Sequence, residues 1–119
     1  MYTLNDDLTG CVANVLIEAH EAYGEKRFHA ALARLGDFFL LAQLPNPQPA
    51  WSQQYNYEMN PIWAREFEPP AIASRESRDV LATLMAIYET TDEAKYLEPL
   101  SAAKADRNFN PPAGLILRR

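Results

Sequence analysis

Cysteine is nearly missing from this chain: Cys11 stands alone, so no internal disulfide is possible and the redox compartment stays open. Long apolar runs are missing too, and none reaches the roughly 20 residues that a bilayer-spanning helix needs. The start, MYTLNDDLTG, has no basic region followed by an apolar stretch, so it does not read as a signal peptide. Positive charge is in deficit. A net charge of −5 offers no general attraction to nucleic acid or to an acidic membrane surface. It also repels a polyanionic substrate unless positive charge is gathered locally. There is no phosphate-cradling glycine loop and no metalloprotease motif. His20 and His29 lack the spacing of a metal pair and read as solvated. Cys11 has no base nearby in sequence and reads as a small apolar residue.

What is present is enough for one folded domain: 119 residues, of which 48% are apolar and 11% aromatic. Asn5, Asp6 and Asp7 open a first helix over Leu8 to Tyr23, whose Val12, Val15, Leu16, Ala19, Ala22 and Tyr23 form one stripe at helical spacing. Gly24 is placed to end it. A second helix runs from about Lys26 to Gln43, with Phe28, Ala31, Leu32, Leu35, Phe38, Phe39 and Ala42 on one face. So short a link makes the two an antiparallel hairpin. A third helix starts at Ser74 as N-cap and turns Val80, Leu81, Leu84, Ile87 and Tyr88 inward. Thr91 or Asp92 caps a shorter helix over Asp92 to Ala103, with Pro99 a blemish in it. After Ala105 periodicity is lost, and Leu115, Ile116 and Leu117 have no obvious place to pack. No strand pattern of usable length appears. The class is all-α.

Between the second and third helices lies a long irregular loop, from Pro45 to Ser77, that holds both tryptophans and most of the prolines. Ordered domains rarely keep so long a loop unless it is a binding or catalytic surface. Trp51, Tyr55, Tyr57 and Trp63 offer flat faces to sugar rings, with Gln53, Gln54 and Asn56 as amide partners for hydroxyls; the same rings would equally well cover the open helix ends. Arg65, between Trp63 and the carboxylates Glu66 and Glu68, suits a bidentate grip on a substrate carboxylate or a structural ion pair. Asn5, Asp6 and Asp7 suit a helix cap or a hard cation such as calcium. Glu76 and Ser77 are either a second polar contact or first-turn capping.

Taken together, PNPQPAWSQQYNYEMNPIWAREFEPPAIASRES and the following LATLMAIYETTDEAKYLEPL resemble the pectate lyases of polysaccharide lyase family ten. The shared elements are a tryptophan before a glutamine-rich step, P-x-W-A-R-x-x-E-P-P, an E-S pair opening a helix, and the Asn-Asp helix start in YTLNDDLTG. They follow one order across roughly residues 2–100. The resemblance implies an α/α toroid of antiparallel helix hairpins. It also implies calcium-assisted β-elimination of polygalacturonate, in which charge neutralisation at the uronate carboxylate acidifies the proton on C5. By the same resemblance Arg65 is the functional arginine, as base or as carboxylate clamp, and Asp6 is the calcium-side acid. Trp51, Gln54, Glu68, Glu76 and Ser77 then line or brace the cleft. Family members are typically secreted or periplasmic.

The chain departs from the family pattern in places. Asn56 stands where an aspartate is usual, and Ser74 and Arg75 where glycines are. The expected organisation is a partial toroid domain over residues 1–105 with an irregular tail over 106–119. The partners expected are an acidic polysaccharide and, for a domain lacking its upstream hairpins, the missing part or another chain. Two functional readings follow: a calcium-dependent lyase, or a non-catalytic uronate-binding or structural remnant of one. A helical interaction domain with no sugar role rests on fold class alone.

Overall fold

The computed structural model describes residues 1–45, 50–63, 65 and 73–104, of which 103 and 104 by backbone alone. The expected tail over 106–119, with Leu115, Ile116 and Leu117, lies outside the described residues. The elements in order are β1 (Tyr2–Thr3), a 3-10 turn (Asn5–Asp7), α1 (Leu8–Tyr23), α2 (Lys26–Ala42), β2 (Gln54–Tyr55), α3 (Ser74–Thr91), a 3-10 turn (Ala94–Leu97) and α4 (Glu98–Lys104). The protein is all-α apart from the two-residue strands, which pair antiparallel with Tyr2 opposite Tyr55 and Thr3 opposite Gln54. Strands so short leave no period-two signature in a sequence.

Gly24 ends α1 as expected. Its backbone adopts φ +64°, which costs a residue without Cβ nothing, and its N–H donates to His20 O at 2.8 Å. The chain then turns directly into α2, and α1, α2 and α3 pack against one another in pairs. Leu32, Phe39 and Ala42 of α2 meet Val80, Leu81, Leu84 and Ile87 of α3 in one buried cluster with Leu4, Trp51, Tyr55, Tyr96 and Leu100.

Three local expectations are corrected. On α1 the buried positions are Gly10 and Ala13, with Leu16 and Ile17 packed beside them, while Val12, Val15 and Tyr23 face outward. Period alone does not choose between two apolar faces of one helix. At the start of α3 the N-cap is Ala73, in extended backbone, and Ser74 is the first helical residue. Finally, neither Thr91 nor Asp92 opens the last helix. Thr91 turns its hydroxyl back to Ile87 O at 2.8 Å, and Asp92, left-handed at φ 58°, closes α3. Pro99 then falls in the first turn of α4, where a missing N–H breaks no helical bond.

Tyr96 fastens the 3-10 turn onto α2. Its ring lies over Gly36, and its hydroxyl is shared between Ala33 O at 2.9 Å and Asp37 Oδ1 at 3.0 Å. Asp37 also meets Lys95 Nζ at 2.9 Å. A Cβ on Gly36 would sit 2.5 Å from Cε1 of that ring, which its own hydrogen bonds keep from moving. Gly36→Ala is therefore expected to destabilise the protein by about 1–3 kcal/mol despite alanine's better helix propensity. Urea unfolding checks this; a stabilised variant would mean that the ring yields.

Candidate functional site

The loop after α2 is fastened from within. Trp51 has no exposed surface; its indole N–H donates to Phe39 O at 2.9 Å, so the ring plugs the end of α2. Its backbone N–H donates to Ser77 Oγ at 3.0 Å, and the same hydroxyl faces Trp51 O at 3.3 Å. Ala73 N–H adds a bond to Trp51 O at 2.9 Å, so one residue joins the loop to both helices that flank it. Next to it, the buried Tyr55 hydroxyl accepts the Ser52 N–H at 2.6 Å, and burial pushes the phenol up to about 12. Asn56 then holds a tight turn: its Oδ1 accepts Asn60 N–H at 2.9 Å, its carbonyl accepts Met59 N–H at 3.0 Å, and Met59 takes φ 64°.

Trp51, Tyr55 and Ser77 thus have no face to offer a sugar, which differs from their reading as substrate contacts. They brace, because their polar atoms are spent on backbone groups. Glu76 is nearly buried in the first turn of α3, with Gln53 Nε2 at 3.4 Å from its Oε1. Gln54 directs its amide to the Met1 sulfur at 2.7 Å. Glu66 and Glu68 lie outside the described residues.

What the frame presents outward is different. Trp63 is exposed, and Arg65, with 53% of its side chain exposed, stands 3.7 Å from a carboxylate oxygen of Asp6, itself 73% exposed. Residues 59 positions apart in the chain are therefore neighbours at the mouth of α1. An exposed pair of this length is worth at most about 1 kcal/mol, so it orients the guanidinium without locking it. Tyr2, which carried no signal in the sequence, pairs with Tyr55 four residues before Asp6. Its ring stacks edge-on to the exposed Tyr57 at 5.7 Å and leans on Phe38 at 5.3 Å.

Asp6 and Asp7 both adopt left-handed backbone, at φ 56° and 55°. Asp7 occupies the N-cap position of α1 and lays its carboxylate against Gly10, without a well-formed side-chain cap bond. An open groove of about 170 Å³ between α1 and α3 has Asp7 and Asp79 in its lining. Burial first, and repulsion from Asp79 second, push the Asp7 carboxyl above its usual range, against the opposing pull of Arg75 and the Gly10 N–H. His20 and His29, expected to be separate and solvated, are brought by the hairpin to 5.8 Å between ring centres, both half-buried. Cys11 is exposed rather than packed.

A sequence model of pectic acid lyase matches residues 3–105. The chain belongs to the pectic acid lyase family. No curated protein and no solved structure matches it. The match spans both the Asp6 segment and the Arg65 segment, the two strands of chain that the fold brings together.

Calcium, the ion that goes with pectate lyase chemistry, wants six to eight oxygens. No group of three or more acidic, histidine or cysteine ligands converges among the described residues, and Asp6 supplies one carboxylate beside a guanidinium. Such a donor fits an ion that draws most of its oxygens from uronate and water, and does not fit a closed protein cage.

The raised Asp7 has a consequence for stability. The folded state holds this proton to higher pH than the unfolded chain, so ionised Asp7 costs stability above its folded pKa, a cost relieved as pH falls through it. Asp7→Asn removes that charge and tolerates the left-handed backbone. Thermal unfolding is expected to show a modestly higher midpoint for the variant at pH 7 and a smaller difference toward pH 4. A lower midpoint at pH 7 would contradict this assignment.

Proposed function

We propose that this protein is a pectate lyase-like enzyme that cleaves polygalacturonate by calcium-assisted β-elimination at the Arg65 end of α1, as part of an α/α toroid. The observation that carries the proposal is the exposed Arg65 guanidinium beside Asp6; Trp63, Tyr57 and Tyr2 are exposed rings on the two segments of chain that lead to this pair. Arg65 meets the uronate carboxylate through its planar fork and disperses the charge that grows there as the C5 proton leaves. That proton passes to a base, the electron pair forms the C4–C5 double bond, and the C4–O bond to the departing sugar breaks, its oxygen leaving with the bonding pair and taking a proton from solvent. The family resemblance gives the base role to Arg65 itself; the high pKa of a guanidinium favours the grip. Asp6 would hold calcium, which when bound neutralises the same carboxylate and makes C5–H more acidic.

A second reading, a uronate-binding domain without turnover, draws on Asn56. Its side chain is engaged in its own turn at the position where the family usually carries an aspartate.

Mixing the protein with polygalacturonate and calcium, and following ultraviolet absorbance of the unsaturated product, tests the two together. Arg65→Ala is expected to lower kcat/KM by about 10²–10³-fold. Arg65→Lys, which keeps the charge and loses the fork, is expected to recover only part. A signal that survives both a chelator and Arg65→Ala would remove Arg65 and calcium from the mechanism. Binding of oligogalacturonate by titration without any product would leave the second reading in place of the first.

A further inference from the structure

The α1–α2 hairpin sets two histidines side by side. His20 lies in the last turn of α1 and His29 is the fourth residue of α2, and a spacing of nine matches no helical metal motif. Folding nevertheless brings their ring centres to 5.8 Å, with the planes tilted 59°. Both rings are half-buried, so the helices that carry them limit how far they swing. Neither ring makes a hydrogen bond or an ion pair with a described residue.

The sharper observation is a single nitrogen. Nδ1 of His20 is sealed from solvent and has no hydrogen-bond partner. A proton there would be a buried donor with nothing to accept it, so the neutral ring carries its proton on Nε2. The Nδ1 lone pair is then left bare, which is the form in which an imidazole binds a metal.

We propose that His20 and His29 together chelate a first-row divalent ion of the zinc type, which fastens α1 to α2. Such ions favour imidazole nitrogen, whereas calcium favours oxygen. Two imidazoles bound to one zinc have ring centres roughly 5.2 Å apart in tetrahedral geometry, and roughly 4.5 Å apart as neighbouring ligands of a square-planar ion. The observed 5.8 Å is nearer the first, and a small turn of the rings closes the gap. No group of three or more His, Cys, Asp or Glu converges among the described residues, so water takes the remaining positions. The pair sits in the last turn of α1, whereas Asp6 and Arg65 meet ahead of its first. The proposal therefore does not rest on the uronate reading.

Titrating the whole chain with zinc alone, by calorimetry and by NMR of the histidine rings, tests it. One zinc per chain is expected to bind, moving the ring signals of His20 and His29 together, and a chelator is expected to restore them. His29→Ala is expected to weaken that binding by at least about tenfold, since one imidazole cannot chelate. Thermal unfolding of each protein without zinc confirms that it is folded, and His29 carries the test should His20→Ala not fold. Absence of zinc binding would overturn the proposal. So would binding that His29→Ala leaves within about twofold, because the ion would then sit elsewhere, or ring signals that move for one histidine and not the other.

Discussion

One indole and one hydroxyl hold this structure's long connection in place. Trp51 closes the end of α2 through Phe39 O and is gripped from α3 by Ser77, so the connection is tied to both flanking helices soon after it leaves α2. A buried indole with a satisfied N–H contributes large apolar burial without an orphaned donor, which is why tryptophan can serve here and a polar residue could not. The paired strands, the Asn56 turn and the Tyr55–Ser52 bond all follow within a few residues of that anchor. Downstream, the chain emerges at the surface with Trp63 and Arg65 facing outward beside the start of α1.

The division of labour within the loop follows from burial. Rings near the anchor are sealed and hold; rings and charges farther along are exposed and are the groups able to meet a ligand. Composition does not separate the two sets, because Trp51 and Trp63 are the same residue in the same connection. What separates them is the Phe39 carbonyl at the end of α2, which takes the indole N–H of Trp51 beside the backbone N–H of Gln43, and a serine in the first turn of α3 that can hold the backbone.

Helix positions were legible in the sequence where a stop signal and a period coincide. Leu8–Tyr23 was readable to the residue because Gly24 ends the pattern, and the inward face of α3 because its outer positions are polar. The face of α1 was not legible, since apolar residues stand on both of its sides, Val12 and Val15 on one and Ala13 and Ile17 on the other, and only the packing of α2 and α3 selects Gly10 and Ala13. The family was readable from the W-A-R block, and the family match over residues 3–105 agrees with it. The bracing roles of Trp51 and Ser77 were hidden because their partners lie 12 and 26 residues apart, a separation that carries no local pattern. Tyr2 was hidden for the same reason.

If the Trp51–Ser77 contact is what orders residues 50–62, its loss frees that segment and leaves the helices intact. Amide hydrogen exchange on Ser77→Ala measures this directly. We expect the amides of Trp51, Leu4, Asn56 and Ile62 to lose most of their protection while those in the middle of α2 and α3 keep theirs. Unchanged protection in the loop would show that other contacts order it, and uniform loss across the helices would show that the serine supports the core rather than the site.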